Sequence, residues 1–437
     1  MQADPSQLTL AAYKKGAYIL VEDKIDNPFF YIIKSGQVHV KTKTDLPVSG
    51  VVKREPDILN PGDFFGVISA MSGHPSIESV TALTDVIVII VRRDQFGVLI
   101  QKNGPIAMKI IRSFSRKLRY FGTALTQLSF SNSIEQDPIN LLSLGEYYFS
   151  QKSWVIAAYA YTKFLELNPQ SPHTMQAQQR LAQLAAYAKS GPESVQTQGG
   201  AFARVYHDGD VVFLEHEIGN ELYIIQQGNI KIKKVVANSE ITLAILQKGD
   251  ILGEMAILEN LPRSATAVAY GKTMLLAINK DNFQVMVQQQ PQLATKIISL
   301  LSERIWISYR QFTNAMIEDP LAKIYDALLT QVAKMHVEPA KGVTHTFDFG
   351  TDELLSMIGI APDKGKKALA EFFMSRKFIL VNNKIYATDL EELHKQATYY
   401  KNQWLRKRKI EEMHTASELK ESQYASASSS VLRKTMG

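Results

Sequence analysis

Two side chains have the types and spacing to hold a phosphorylated sugar. A carboxylate, Glu254, stands nine residues before a guanidinium, Arg263. A carboxylate accepts hydrogen bonds from ribose hydroxyls, and a guanidinium grips a phosphate with a planar fork of donors. Their neighbours are small: Gly253 and Ala256 on one side, Ser264 and Ala265 on the other. Small residues let backbone N–H groups come close enough to a phosphate to donate as well. On spacing alone a surface ion pair would be the better reading. This pair, however, sits inside a longer run, Leu252-Gly-Glu-Met-Ala-Ile-Leu-Glu-Asn-Leu-Pro-Arg-Ser-Ala-Thr-Ala-Val-Ala269.

That run resembles the phosphate-binding cassette of cyclic-nucleotide-binding domains. The resemblance implies that Glu254 holds the ribose 2′-hydroxyl and Arg263 the cyclic phosphate. Gly253, Met255, Ala256, Ser264 and Ala265 complete the implied contact. The implied ligand is cAMP, with cGMP or a cyclic dinucleotide as alternatives, and no metal is implied. Matching the following long helix to the cAMP receptor protein adds Ser308 and Tyr309, which align with polar residues that contact adenine there.

The elements that must position these residues occur twice. Gly16-Ala-Tyr-Ile-Leu-Val-Glu, Phe30-Tyr-Ile-Ile-Lys-Ser-Gly36 and Pro61-Gly-Asp-Phe-Phe-Gly66 are echoed about 190 residues later. The echoes are Gly209-Asp-Val-Val-Phe-Leu-Glu, Leu222-Tyr-Ile-Ile-Gln-Gln-Gly228 and Lys248-Gly-Asp-Ile-Leu-Gly253. Short alternating or β-branched runs broken by Gly, Asn and Asp predict a small antiparallel barrel or jelly roll in each copy. Each copy ends in a long helical pattern, 94–129 and 281–316. The second carries the stripe Ala294, Ile298, Leu301, Ile305, Ser308, Phe312, Ala315, with the 3.5-residue period of a coiled-coil seam. The resemblance implies that this helix both dimerises and caps the ligand. Packing on its own barrel explains the stripe equally well.

The first copy has lost the charged pair. A gapless match of Gly66 to Gly253 puts Val67 at the position of Glu254 and Ser76 at that of Arg263. Glu78, at the position of Ala265, adds a carboxylate expected to repel a phosphate. The first barrel is therefore expected to keep the fold and lose this ligand, or to bind something else.

Between the barrels, Leu144, Gly145, Tyr148, Ala157, Tyr161 and Pro169 fall at the spacings of one tetratricopeptide repeat. A third helix is expected around His173–Lys189 and a flexible linker from Ser190 to Gly200. The insert reads as a spacer, with a partner-binding groove as the alternative. After Asp319-Pro320 come a helix, a second helix with Thr351 as its N-cap, a tight turn, a third helix, and a hairpin turning at Asn382-Asn383. That order resembles the winged helix-turn-helix of Crp/Fnr regulators. Pro362, Asp363 and Lys367 replace the residues that read bases in that family, and Gly365 stands where an apolar core residue is usual. Lys364, Lys366, Lys367, Arg376 and Lys377 remain as phosphate contacts, without an evident base code. A basic helix reaching Met413 and a disordered Ser/Ala-rich tail, Ser422–Ser430, are expected to follow.

The expected fold is thus an α+β multidomain chain. It comprises a degenerate cyclic-nucleotide-binding-like jelly roll (1–129), a tetratricopeptide-like helical hairpin (130–189) and a linker (190–200). A ligand-binding jelly roll with its long helix (201–318), a winged helix-turn-helix (319–395) and a basic tail (396–437) follow. Composition bounds the function classes. The absence of cysteine excludes disulfides and thiolate metal sites and fits the cytoplasm. No apolar run approaches the ~20 residues that span a bilayer, and the first residues lack the features of a secretory signal. The net charge of +6 permits nucleic-acid binding without requiring it. No nucleophile–base set or P-loop appears, and His216 lacks the second histidine of a jelly-roll metalloenzyme, so catalysis is not expected. The leading expectation is a dimeric, nucleotide-gated transcription regulator. The alternative is a nucleotide-sensing scaffold that binds proteins instead of DNA.

Overall fold

The computed structural model describes residues 9–24, 28–42, 57–130, 139–187, 193–196, 202–236 and 239–407. The chain forms two compact units, Met1–Thr313 and Asn314–Gly437. Both β-domains and the helical insert belong to the first unit.

The expected barrels appear as jelly-roll-like antiparallel sheets. Among the described residues, the first β-domain has two four-stranded sheets, and the second has one seven-stranded sheet. The repeat extends to fine geometry. Tyr31 pairs with Phe65 in one copy and Tyr223 with Leu252 in the other. The register shifts between Ile33 and Ser35 in the first, and between Ile225 and Gln227 in the second. Each bulge leads into a glycine with positive φ, Gly36 at 84° and Gly228 at 82°. A Cβ there would lie 2.3 Å from the Asp85 carbonyl oxygen or 2.4 Å from that of Lys272. Sterics alone account for glycine at both positions.

Each β-domain carries a short cassette helix, α1 (Val67–Ser72) in the first. Each long helical pattern is two helices, not one. In the first copy α2 (Phe96–Lys102) and α3 (Gly104–Phe130) are separated at Asn103. The insert contributes α4 (Ile139–Ser150), α5 (Trp154–Leu167) and α6 (Thr174–Gln183). In the second copy the cassette helix α7 (Glu254–Glu259) precedes α8 (Lys280–Gln289) and α9 (Pro291–Ala315), which part at Gln290. Pro291 accounts for that break, because proline disfavours helical geometry in the residue before it.

The α9 stripe is covered within a single chain. Ala294, Ile298, Leu301, Ile305 and Phe312 are all at 0% exposure. Phe121 of α3 meets Tyr309 and Phe312 of α9, with ring centroids 5.8 Å apart in each case. The seam that the sequence offered for dimerisation thus joins the two halves of one chain.

The insert packs on the second β-domain. Val211, Leu214 and Val268 belong to the same core as Tyr148, Tyr161 and Phe164. Gly145 allows α4 to cross α5 closely, since a Cβ there would lie 2.8 Å from the Tyr161 ring. The expected linker is partly a strand: Glu193–Gln196 pairs antiparallel with Phe202–Tyr206. Its other residues, Ser190–Pro192 and 197–200, lie outside the described residues, as do Lys189 and the tail beyond Lys407.

The second unit contains α10 (Pro320–Lys334), α11 (Thr351–Met357) and α12 (Pro362–Met374). It also contains a three-stranded antiparallel sheet and a helix over 390–407. Asp319 caps α10 by accepting from the Leu321 amide at 2.9 Å. Gly350, not Thr351, is the N-cap of α11, and its N–H donates to Glu353 at 3.1 Å. A Cβ at Gly350 would lie 2.6 Å from the Asn383 carbonyl oxygen, so the hairpin turn dictates the cap residue. Asn382 and Asn383 have φ of 49° and 59°, as a two-residue hairpin turn requires. Gly365, an apparent defect in α12, is buried because Leu355 fills the space: a Cβ would lie 2.5 Å from its Cδ2.

Candidate functional site

The second cassette begins where the chain turns sharply out of a strand. Gly253 has φ 81° and caps α7, so Glu254 stands at the first helical position. Glu254 is 1% exposed and Arg263 5% exposed. Ala256 and Ala265 are buried, and Gly253, Met255 and Ser264 are half-buried. Burying two opposite charges this deeply is costly unless their polar atoms are satisfied.

Most are. Arg263 donates through Nη1 to the Gly253 carbonyl at 2.6 Å and through Nη2 to the Glu221 carbonyl at 2.7 Å. Its guanidinium carbon lies 4.3 Å from the centroid of the Phe213 ring. Burial pulls its pKa down, and the nearby Tyr223, Glu217 and Glu254 oppose that shift. Arg304 of α9 donates through Nη1 to Glu254 Oε1 at 2.8 Å and to the Ile251 carbonyl at 2.7 Å. Two atoms are left over: Glu254 Oε2 and Arg263 Nε are buried with no hydrogen-bond partner among the described residues. One is an acceptor suited to a sugar hydroxyl and the other a donor suited to a phosphate oxygen. The cassette therefore fits a cyclic nucleotide in the chemistry of its donor set.

Sequence reasoning missed three contributors. Gly219 is one: a Cβ there would lie 2.2 Å from the Arg263 guanidinium carbon, so glycine makes room for the side chain. Arg304 is another, and its signal was available as an arginine on α9 one turn before Ser308. The third is the pair of chain segments bracketing Arg263. The His216 amide donates to the Arg263 carbonyl at 2.9 Å, and the Arg263 amide to the Glu217 carbonyl at 2.8 Å. Glu217 in turn is met by Tyr159 of the insert at 3.3 Å. Burial raises the pKa of Glu217 and lowers that of His216.

Of the two candidates on α9, Ser308 is half-buried one turn beyond Arg304. Tyr309 is directed elsewhere: its hydroxyl donates to Glu22 of the first β-domain. Burial and the Glu22 charge push its pKa up.

The first cassette matches the second in backbone and not in chemistry. Gly66 has φ 76°, and Val67 opens α1. Ser76 bonds locally to the Glu78 carbonyl at 2.8 Å. Glu78 is not a bare repulsive charge, because Lys117 of α3 pairs with its Oε2 at 2.8 Å.

The two cassettes are gripped reciprocally. From α3, Ser115 donates to Glu259 at 2.6 Å and Arg119 Nε lies 2.8 Å from the same carboxylate. Arg119 Nη1 also reaches the Pro262 carbonyl at 3.3 Å. From α9, Glu303 lies 2.8 Å from His74, and Trp306 stacks on the His74 ring at 3.9 Å. Each long helix therefore holds the cassette of the other copy, in the manner of a two-fold pair built from one chain.

In the second unit, Lys364, Lys366 and Lys367 are exposed on α12, and Arg376 and Lys377 are exposed just after it. Lys366 lies 3.1 Å from Asp363 and Lys377 3.9 Å from Asp389. Among the described residues, no helix is long and apolar enough to cross a membrane.

The cyclic nucleotide-binding domain family model matches residues 10–103 and 203–290. A CRP-like cAMP-activated global transcriptional regulator of Mycobacterium tuberculosis is 23% identical over 190 residues, covering 43% of this chain and 85% of that protein. A cyclic AMP receptor protein of Thermus thermophilus is 32% identical over 116 residues, covering 26% of this chain and 54% of that protein. A cAMP-dependent protein kinase regulatory subunit of Schizosaccharomyces pombe is 22% identical over 274 residues, covering 61% of this chain and 50% of that protein. The chain thus carries cyclic-nucleotide-binding domains in two copies, homologous to CRP/FNR-family regulators and to protein kinase A regulatory subunits.

Proposed function

We propose that this chain is a non-catalytic, cyclic-nucleotide-responsive transcription regulator. It takes a cAMP-like ligand in the second β-domain and contacts DNA through a C-terminal winged helix-turn-helix. The observation that carries the reading is the pair of buried, unpartnered atoms, Glu254 Oε2 and Arg263 Nε, within a matched cyclic-nucleotide-binding domain. Glu254 accepts from the ribose hydroxyl and Arg263 Nε donates to the phosphate. Ligand acts by favouring one arrangement of α9, which leads into the second unit, and it can do so only if it binds the two arrangements with different affinity. A second copy of the chain, which a two-fold DNA site calls for, would pair through a surface other than the α9 stripe. Calorimetry with cAMP on the wild type and on Arg263→Ala tests the ligand. Unchanged affinity in the variant would sink the assignment.

For DNA, the supporting observation is the exposed basic set Lys364, Lys366, Lys367, Arg376 and Lys377. Replacing one of these lysines with Gln should lower the salt slope of DNA binding by about 1 per phosphate contact removed. The scaffold reading, with the helical insert or second unit holding a protein partner, is favoured by Asp363. This acid is on the exposed first turn of α12 and draws Lys366 to itself. A mobility-shift assay with and without cAMP separates the two, and no specific complex in either state would favour the scaffold.

A further inference from the structure

A cavity of about 270 Å³ lies in the first β-domain, between the start of its cassette and α3. That is just under the ~300 Å³ at which pockets for small organic ligands begin. Its walls are strongly aromatic, with Phe64, Phe65, Phe114, Tyr120 and Phe121 all lining it. Its charged lining is balanced: Asp57, Asp63 and Glu78 against Lys109, Arg116 and Lys117. Lys109 lies 2.9 Å from Asp63, and Lys117 lies 2.8 Å from Glu78.

Glu78 decides which ligands fit. Its Oε1 also accepts a long hydrogen bond, 3.5 Å, from the Gly66 amide at the head of the cassette. The backbone donor and the lysine that a phosphate would use are therefore already committed to a built-in carboxylate. An anionic ligand would have to displace that buried carboxylate and face its charge. An uncharged ligand meets no such obstacle, and the aromatic walls favour a planar one.

We propose that this cavity is a second ligand site, for an uncharged aromatic molecule no larger than a nucleoside, and that its occupancy reaches the second cassette through α3. The helix has the geometry for that coupling. Ser113, Lys117 and Tyr120 line the cavity, while Ser115 and Arg119 hold Glu259 and Pro262 of the second cassette. Glu259 ends the helix that Glu254 begins, and Pro262 immediately precedes Arg263. The link is also stiff, because the Arg119 and Glu259 side chains are only 6% and 10% exposed. A ligand that shifts α3 moves the C-terminal end of α7 and the residue before Arg263, within the stretch that carries the proposed nucleotide contacts. The coupling rests on the cyclic-nucleotide reading of the second domain, whereas the cavity site does not.

The test is calorimetry on the full chain with adenosine as the uncharged probe. Saturable one-site binding is expected in the wild type and in Arg263→Ala, and in that variant, which itself binds no cAMP, excess cAMP should not displace adenosine. Filling the cavity by Val67→Phe or, separately, Ser113→Leu should abolish adenosine binding while circular dichroism stays native. No adenosine binding to the wild type, or its displacement by excess cAMP in Arg263→Ala, where the second site is disabled, would overturn the site. For the coupling, saturating adenosine should change the cAMP affinity of the wild type at least fivefold, within the usual range for linked sites. Arg119→Ala should remove that change while leaving adenosine binding intact, and Arg119→Lys should restore part of it. Adenosine binding without any effect on cAMP affinity would overturn the coupling and leave the site standing. Loss of cAMP binding in the wild type would sink the nucleotide reading instead.

Discussion

Arg304 and Glu254 form an ion pair at 2.8 Å that fastens the long helix α9 to the first helical residue of the second cassette. The bond uses Oε1 of a carboxylate whose Oε2 has no partner among the described residues. Arg304 thus orients the carboxylate and leaves one lone-pair face for a ligand. Removing it frees Glu254 to rotate and leaves a buried charge unpaired. Arg304→Ala should therefore weaken cAMP binding tenfold or more, about 1.4 kcal/mol, and Arg304→Lys less. Calorimetry on both variants checks this, and equal affinities for wild type and Arg304→Ala would contradict it.

Gly219→Ala should act almost as Arg263→Ala does. The added methyl would lie 2.2 Å from the guanidinium carbon, so Arg263 must leave its place against Phe213. The Gly253 and Glu221 carbonyls then lose their donors, at about 1–3 kcal/mol for a buried group left unmet. Loss of cAMP binding together with a lowered unfolding midpoint in denaturant is the expected pair of results.

Ile305→Lys tests whether the α9 stripe is an internal seam. Ile305 is at 0% exposure within one chain. A lysine there should destabilise the folded chain by about 3–5 kcal/mol, the cost of leaving a buried charge unpaired. Because the seam is intramolecular, the fall in Tm should be the same at two protein concentrations tenfold apart. A fall that shrinks at high concentration would mean that the stripe joins separate chains.

His216 predicts a pH dependence. Burial lowers its pKa below 6.5, with Glu215 opposing and Lys234 reinforcing the shift. Between 6.5 and the lowered native value, the unfolded chain binds a proton that the folded chain does not. Stability should therefore fall as pH falls through that window. Glu217 acts in the opposite sense, since burial raises its pKa and stability falls as pH rises through the interval above the ordinary carboxylate value. His216→Asn suits the positive φ of 68° and should flatten the His216 part of the profile. Denaturant midpoints from pH 5 to 7.5 check it, and an unchanged slope in the variant would assign the dependence elsewhere.

Much of the architecture was legible because it rests on local rules. The repeated Gly-containing turns and alternating runs marked both β-domains, and Asn382-Asn383 marked the hairpin through its tolerance of positive φ. Thr351 was misread as a cap because its residue type suits that role. The actual cap, Gly350, is dictated by the approach of Asn383, thirty-three residues away. Gly365 read as a weak point in a helix and proved to be the space that Leu355 occupies.

By itself, then, the sequence determined which cassette carries the charged pair. Glu254 and Arg263 against Val67 and Ser76 is a difference of residue type at matched positions, and no folding is needed to see it. Only the tertiary structure decided what surrounds those residues. It committed two donors of Arg263 to backbone carbonyls, set Arg304 against Glu254, and turned Tyr309 toward Glu22. It also paired Glu78 with Lys117 and spent the α9 stripe inside the chain. Each of these depends on groups far apart in sequence, and the direction of a side chain on a long helix is settled by whichever distant surface packs against it.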